Sequence, residues 1–325
     1  MGKYCSIILT VFFSLVLLSC CASADEKHTV DVSGRAVNST PLYGPEGIVI
    51  APSGDIFIGN HDGKIMQVAA DGSVKAFADL NDLPGDREET IRAVGVAMDK
   101  EGDIYAATYD FHDGAVLKVI GPGRENARTV TLYRHGIGLA NFVLIDDETG
   151  TMYVTDCSMR SGGVFGIDMK DESRIGSAVD REKELLGKFG YANGLALGPS
   201  KQWLYVAETT AGRISRIHLK TKKSETFIEL GGWMDGLVLD PERNALFACD
   251  NKKGRIIAVD LSCTVLGEVH LIGREGQCAP ACLVFRDSDT IVFTDLWKAS
   301  TWRALLGMGQ YHSYIYQLPV SEVIR

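Results

Sequence analysis

A motif of about fifteen residues recurs six times along the chain, and no other sequence feature restricts the fold as strongly. Each copy has a short apolar run, a turn rich in Gly, Asp and Pro, and a second apolar run, as in EGIVIAPSGDIFIGN and DGLVLDPERNALFACD. The copies begin 42 to 52 residues apart, and a third apolar run follows each of them. They begin at Glu46, Val94, Asn141, Asn193, Asp235 and Ala281. Strand–turn–strand–turn–strand units at this period are typical of propeller blades, so the sequence predicts an all-β, six-bladed β-propeller over residues 42–325.

Composition supports a globular β fold. The 325 residues are 46 % hydrophobic and 23 % charged, and 35 glycines suit a chain with many tight turns. The apolar runs are short, interrupted by Gly and rich in Val, Ile, Tyr and Phe, which argues against helices. Residues 180–188 are the one segment that fits a short helix, with a charged loop as the alternative. The net charge of -9 without a basic tract argues against a nucleic-acid partner.

The first 24 residues have the pattern of a secretory signal peptide. Lys3 precedes an apolar run at residues 7–18, and Ala22-Ser23-Ala24 forms an A-x-A cleavage site. The run is shorter than the roughly 20 residues that cross a membrane, so no membrane span is expected. The prediction is a secreted or periplasmic protein. The alternative is a lipid anchor at the cell envelope, because residues 17–20 resemble a bacterial lipobox ending at Cys20.

Residues 25–41 form an N-terminal segment before the repeats, and its residues 28–32 are expected to pair with the last blade and close the ring. It contains the sequon Asn38-Ser39-Thr40, which has meaning only in a eukaryotic source. Five cysteines follow the signal region, an odd number for an oxidising compartment. The sequence is compatible both with disulfides between some of these cysteines and with buried free thiols. No CxxC motif has the partners of a zinc site.

The residues that open the six first strands differ in chemistry. In a propeller the first strand of each blade runs along the central channel, so these six positions form a ring around the axis. Four of them carry side-chain oxygens: Glu46, Asn141, Asn193 and Asp235. Two carboxylates and two amides make a hard oxygen site that suits Ca²⁺, with another divalent cation as an alternative. One Asn or Asp before Gly-Leu more often serves as a turn former, but four oxygen side chains at one repeat position favour a site.

Two of the repeats also carry a resemblance. NGLALGPSKQWLYVAETTAGRISRI and DGLVLDPERNALFACDNKKGRIIAVDL resemble the senescence marker protein/gluconolactonase family, which includes calcium-dependent lactonases and phosphotriesterases. The resemblance runs from about residue 42 to residue 318. It implies a catalytic divalent metal held by Glu46, Asn193 and Asp235, with Asn141 as a further ligand directly or through water. It also implies that Asp235 doubles as catalytic base or nucleophile.

Two departures from the family pattern bear on mechanism. NFV at Asn141 lacks the second polar residue of many members, and the last blade runs into Leu296 and Trp297 where diisopropylfluorophosphatase-like enzymes have a His. The sequence therefore does not support a His-dependent mechanism. GxSxG and Gly-rich phosphate loops are absent from it as well.

The loops between second and third strands are expected on the same face as the ring, because the second strand returns to that end. Substrate-pocket candidates in these loops are His61, Tyr109, His112, Trp297, Trp302 and His312. Exposed turn positions for the His residues, and rim packing for the Trp residues, are the alternatives. The predicted function is an exported, metal-dependent hydrolase of a small-molecule lactone or ester. The alternatives are a non-catalytic propeller binding module and a strictosidine-synthase-like enzyme.

Overall fold

The computed structural model describes residues 27–84, 90–109, 113–159, 162–296 and 312–325. The signal peptide over residues 1–24, with its lipobox alternative at Cys20, lies outside these ranges and stays a prediction. In the ranges given, none of the helices combines the length and the apolar character needed to cross a membrane.

The six-bladed β-propeller is confirmed, because one antiparallel sheet corresponds to each repeat. The strands of blades 1 to 3 are Pro45–Ile50, Ile56–Asn60, Lys64–Val68 and Val74–Asp79; Arg92–Met98, Ile104–Tyr109, Gly114–Val119 and Val130–His135; and Ala140–Asp146, Thr151–Asp156, Gly163–Asp168 and Leu185–Lys188. Those of blades 4 to 6 are Ala192–Leu197, Trp203–Glu208, Arg213–His218 and Ser224–Glu229; Met234–Asp240, Ala245–Asp250, Arg255–Asp260 and Val265–Gly273; and Pro280–Asp287, Thr290–Asp295 and Ile315–Pro319. First strands of neighbouring blades pack on one another in a closed cycle that returns from blade 6 to blade 1.

Short elements decorate the blades. They are the strands Thr29–Asp31, Leu42–Tyr43, Ser177–Ala178, Gly276–Gln277 and His312–Ser313, and the 3₁₀ turns Ser33–Arg35, Leu80–Asp82, Glu172–Arg174 and Val320–Glu322. The segment at residues 180–188 combines a single α-helical turn, Arg181–Glu184, with the outer strand of blade 3. The Asp180 carboxylate caps this turn by accepting from the N–H groups of Glu182 and Lys183.

The expected closure of the ring by residues 28–32 is wrong. Thr29–Asp31 pairs in parallel with the outer strand of blade 5. Blade 6 is completed instead by Ala36, which bridges Tyr316, and by the Val37 N–H, which donates to Ile315 O at 2.9 Å. The outer edges of the blades present similar unpaired backbone groups, so the local pattern of the N-terminal segment could not select among them.

Asn38 of the sequon secures the same closure. It is 2 % exposed, its Oδ1 accepts from Ile315 N–H at 2.8 Å, and its Nδ2 donates to Thr40 O at 2.7 Å. This asparagine therefore has a structural role and its amide is buried. The five described cysteines are all free thiols, buried except for Cys263.

The core lies between the faces of neighbouring blades. Phe57, Phe165, Phe247 and Phe293 are fully buried in four of the six blades. Burying side chains of this size contributes roughly 1.5–3 kcal/mol each, so stability is distributed around the ring. A rigid ring of blades fixes the geometry at the central axis.

Candidate functional site

All six first strands carry a β-bulge at the position singled out by the repeat. In blade 4 the register with the second strand shifts between Ala192 and Leu195, and the corresponding shifts recur in the other five blades. The shifted pairs are Glu46-Gly47, Val94-Gly95, Asn141-Phe142, Asn193-Gly194, Asp235-Gly236 and Ala281-Cys282. The six positions are thus structurally equivalent, and a bulge re-aims the side chain it carries. We call Glu46, Asn141, Asn193 and Asp235 the ring.

The glycine that follows three of the four ring residues is required by the neighbouring blade; Asn141 is followed by Phe142 instead. A Cβ at Gly194 would lie 2.4 Å from Asp235 O, and one at Gly236 would lie 2.5 Å from Ala281 O. Gly47 has the same relation to Val94 O at 2.3 Å. Backbones at this separation exclude any side chain, so the glycines allow the first strands to approach closely around the axis.

Glu46 and Asp235 form a buried acidic pair. Asp235 is 7 % exposed, and the Glu46 side chain is 13 % exposed. Burial, followed by the nearby charge of Glu46, raises the pKa of Asp235 well above its ordinary value, although hydrogen bonds from Asn193 and Asn251 oppose the shift. Among the described side chains no Lys or Arg forms an ion pair with either carboxylate. Two buried carboxylates this close are unfavourable when both are charged. Protonation of one of them, or a bound cation, would relieve the repulsion.

Three ring residues are each held by the residue that directly follows the second strand of the same blade. His61 Nε2 lies 2.5 Å from Glu46 Oε2, and Asn193 Nδ2 donates to Thr209 Oγ1 at 3.3 Å. Asn251 Nδ2 donates to Asp235 Oδ2, also at 3.3 Å. We call His61, Thr209 and Asn251 the collar. Asn141 occupies the equivalent bulge of blade 3 and is 6 % exposed.

A second set of acidic side chains occupies the last position of the second strand in blades 3 to 6, one residue before the position that the collar residues occupy in their own blades. Each of its carboxylates accepts a backbone N–H from the segment that leads into the first strand of its own blade, at 2.7 to 3.1 Å. Arginines pair with three of them at 2.7 to 3.2 Å. The set, which we call the clamp, comprises Asp156, Glu208, Asp250 and Asp295. It fixes the strand entry that carries each ring position.

Tyr191 and Cys157 complete the surroundings of the acidic pair. Tyr191 adopts a left-handed φ of 56°, uncommon for a bulky residue, and its carbonyl accepts from Thr209 N–H at 3.2 Å. Burial raises the pKa of Tyr191, with smaller contributions from Cys157, Tyr109, Glu46 and Asp235. Burial likewise raises the pKa of the Cys157 thiol to about 12, and Glu46 and Asp235 add to that shift. Both groups stay neutral at physiological pH and lie within electrostatic range of both carboxylates.

The pocket candidates fall into three groups. His61 contacts the ring directly, so the exposed-turn alternative is wrong for it: its side chain is 8 % exposed. Tyr109 ends the second strand of blade 2 and contributes to the surroundings of Tyr191. His112, Trp297 and Trp302 lie outside the described residues, and for His312 the structure describes the backbone pairing with Tyr43.

Sequence reasoning missed Thr209, Asn251, Cys157, Tyr191 and the clamp. A signal for the collar was present, because the partners are separated by 15 or 16 residues in each of the three blades. That constant offset follows from the lengths of the first two strands and their turn. Hydrogen-bonding residue types at this offset would have identified the collar.

Comparison with known proteins supports the family resemblance. Residues 173–296 match the SMP-30/Gluconolactonase/LRE-like region, and residues 35–68 match the N-terminal region of strictosidine synthase-like proteins. The first match covers Asn193 and Asp235. The resemblance to the gluconolactonase family is thus confirmed over this region, and the chain is also similar to strictosidine synthase-like proteins over residues 35–68.

Curated relatives are similar over just over half of this chain. Protein STRICTOSIDINE SYNTHASE-LIKE 10 of Arabidopsis thaliana is 27 % identical over 217 residues, which are 60 % of this chain and 56 % of the relative. The adipocyte plasma membrane-associated protein of Homo sapiens is 28 % identical over 195 residues, 55 % of this chain and 45 % of the relative. The chain spans about half the length of these relatives.

Solved structures share the fold. Regucalcin, a calcium-binding protein from Agrobacterium tumefaciens, superposes with a TM-score of 0.65 at 15 % identity, covering 90 % of this chain and 95 % of its own. A gluconolactonase from Xanthomonas campestris gives a TM-score of 0.62 at 15 % identity, covering 87 % and 88 %. These solved structures show that the chain shares their propeller fold.

Proposed function

We propose that the protein is a metal-dependent hydrolase of lactones or related esters, exported from the cytosol, with Ca²⁺ as its cation. The observation that carries the proposal is the buried pair of Glu46 and Asp235, which has amide and imidazole partners where three of the clamp acids have arginines. A scaffold has no need of two such carboxylates on its axis. The calcium-binding and gluconolactonase relatives with the same fold support the choice of cation and reaction.

The donor set fits a hard divalent cation. Carboxylate oxygens of Glu46 and Asp235 and amide oxygens of Asn141 and Asn193 are ligand types that Ca²⁺ takes, with water or substrate completing a shell of about 6–8. Within the described ranges no three His, Cys, Asp or Glu side chains converge as a metal-binding group, so a cation would depend on the asparagine oxygens as well. A cation would also offset the burial and the nearby charge of Glu46 that together raise the pKa of Asp235.

The chain's own residues account for positioning and proton transfer. When bound, Ca²⁺ polarises an ester carbonyl and stabilises the oxyanion that forms on attack. Asp235 takes a proton from the attacking water and returns it to the alkoxide that leaves as the acyl C–O bond breaks. Alternatively it attacks the carbonyl carbon itself, the alkoxide leaves with a proton from water, and a second water hydrolyses the acyl-enzyme. Asn251 holds the Asp235 Oδ2 in either case. Tyr191 and Cys157, neutral and largely buried, limit the entry of water around the acidic pair.

A second candidate is a strictosidine synthase-like activity. The match over residues 35–68 and the Arabidopsis relative favour it. Cation binding by the ring distinguishes the two candidates, because only the proposed hydrolase depends on a cation held by Glu46, Asn193 and Asp235.

The test combines metal analysis with a substrate panel. Chelator-treated protein is assayed on aliphatic lactones and aryl esters with and without added Ca²⁺, and the calcium retained per chain is measured. We expect calcium-dependent turnover that Asp235→Asn lowers by about 10²–10⁴-fold, the usual contribution of a catalytic base.

The matched control is Asp260→Asn, the same substitution in the same blade at a turn carboxylate that accepts from the N–H groups of Ser262 and Thr264. It should keep wild-type turnover. If the wild-type protein neither retains calcium nor shows calcium-dependent turnover on the panel, the hydrolase proposal is wrong.

A further inference from the structure

The hydrogen bonds of Thr209 and Asn251 connect the ring residues of blades 4 and 5. Thr209 Oγ1 accepts from Asn193 Nδ2 at 3.3 Å and donates to Met234 O at 2.7 Å. Met234 directly precedes Asp235, so one hydroxyl contacts the ring side chain of its own blade and the strand carrying the next ring residue. Because Nδ2 of the Asn193 amide donates to Thr209, Oδ1 of the same amide is the atom that can bind a ligand.

Asn251 repeats this arrangement one blade further on. Its Nδ2 lies 3.3 Å from Asp235 Oδ2 and 3.4 Å from Ala279 O, the carbonyl two residues before the ring position of blade 6. Asn251 is 5 % exposed, and its N–H donates to Trp233 O at 3.1 Å. The side-chain amide and the backbone of Asn251 are therefore both held by hydrogen bonds.

We propose that Thr209 and Asn251 are positioning residues that set the cation affinity of the ring. Thr209 orients the Asn193 amide, and Asn251 holds one Asp235 oxygen. Each also fixes the strand entry of the following blade. The proposal rests on the proposed function, since it assigns these residues a role toward the same cation. Residues that hold metal ligands in place commonly change metal affinity by about 10–100-fold when they are removed.

The experiment measures the Kd for Ca²⁺ by isothermal titration calorimetry on the chelator-treated protein. Thr209→Val removes the hydroxyl at nearly constant shape, and Asn251→Leu removes both amide groups. We expect each to weaken Ca²⁺ binding by at least about 10-fold. Thr209→Ser restores the hydroxyl and should bind Ca²⁺ with nearly the wild-type affinity.

The matched control is Thr108→Val. Thr108 is a buried threonine whose hydroxyl donates to Ala115 O at 3.3 Å, in the blade whose ring position is Val94. It should leave the Kd unchanged. Thermal unfolding without Ca²⁺ is recorded for every variant, and because Thr209 and Asn251 lie in different blades, a variant that fails to fold leaves the other to decide.

The outcomes separate this inference from the function. If the wild-type protein binds Ca²⁺ and both Thr209→Val and Asn251→Leu bind it equally well, the positioning role is wrong and the hydrolase proposal stands. If Thr108→Val weakens binding as much as Thr209→Val, the effect is one of general packing and the positioning role is again wrong. If the wild-type protein binds no Ca²⁺, the metal-dependent function itself fails.

Discussion

The ring and the clamp both contain buried carboxylates at the same end of the propeller, and these carboxylates differ in their partners. Asp250 of the clamp is fully buried, pairs with Arg255 at 2.9 Å and accepts from Trp233 N–H at 3.0 Å. Asp235 of the ring is almost as buried but has amide partners and a second carboxylate nearby. Three of the four clamp carboxylates are neutralised by arginines, and all four accept backbone N–H groups, so the clamp serves folding. The two ring carboxylates have no Lys or Arg partner among the described residues, only the His61 imidazole and the amides, which is the environment expected of a ligand site.

The largest effect on stability is expected where the clamp is broken. Asp250→Asn leaves Arg255, whose side chain is 10 % exposed, without its buried partner, although Arg255 also pairs with Glu268. Removing one member of a buried ion pair costs about 3–5 kcal/mol, because the other charge stays buried. Urea denaturation should show a loss of this size in the free energy of unfolding.

Asp235→Asn sharpens the comparison because it should change stability in the opposite direction. Without a cation, this substitution removes a buried charge that repels Glu46. We therefore expect the chelator-treated variant to be more stable than the wild-type protein at neutral pH. Equal losses of stability for Asp250→Asn and Asp235→Asn would show that the two sets do not differ in the way proposed.

The glycine beside the ring gives an intermediate effect. In Gly236→Ala the new Cβ would lie 2.5 Å from Ala281 O and 2.6 Å from the Cα of Cys282, both backbone atoms that cannot move aside cheaply. Overpacking of this kind costs about 1–3 kcal/mol, measured by urea denaturation, and should displace Asp235 enough to weaken Ca²⁺ binding as well.

Gly34→Ala is the control for this steric effect. Gly34 has no positive φ and no atom within 4 Å of the added Cβ. Its substitution should change the free energy of unfolding by less than about 0.5 kcal/mol. A destabilisation of Gly34→Ala equal to that of Gly236→Ala would remove the argument from close backbone approach.

The sequence predicted the ring better than the residues that hold it. Repeat alignment placed Glu46, Asn193 and Asp235 at one structural position because the bulge has the same place in every blade. The partners of these residues follow from hairpin length, which sets their offset of 15 or 16 residues, and from contacts between blades, which no local pattern encodes. In the sequence Thr209 has the features of an ordinary turn residue. In the structure its hydroxyl accepts from Asn193 and donates to Met234 O.

The edge pairing of the N-terminal segment could not be predicted for a related reason. Parallel pairing of Thr29–Asp31 with blade 5 is decided by where the chain crosses the rim, and three residues carry too little pattern to specify it. One clamp pairing is equally non-local, since Asp156 reaches Arg181 across 25 residues. The other two, Glu208 with Arg213 and Asp250 with Arg255, join residues five apart in one hairpin.

The smallest expected effect is a difference in pH dependence between the two sets. Burial alone would raise the pKa of Glu208, but hydrogen bonds from Arg213, Ser215 and Gly190 outweigh it and hold the pKa below its ordinary value. Its contribution to stability is therefore present above the unfolded-state pKa and lost as pH falls through the lower folded-state pKa. Asp235 has the opposite sign: with a raised folded-state pKa, its contribution is present at low pH and lost as pH rises.

Two variants test this difference in sign. The free energy of unfolding of the chelator-treated protein is measured at about pH 7 and about pH 3.5, on either side of the ordinary pKa of both carboxylates. In Glu208→Gln the gain in stability between the lower and the higher pH should be smaller than in the wild-type protein, because the group that gains stability with pH is gone. In Asp235→Asn the same gain should be larger, because the group that opposes it is gone. If both variants change the gain in the same direction, then the ring carboxylate is compensated like the clamp, and the charge that a cation would balance is not there.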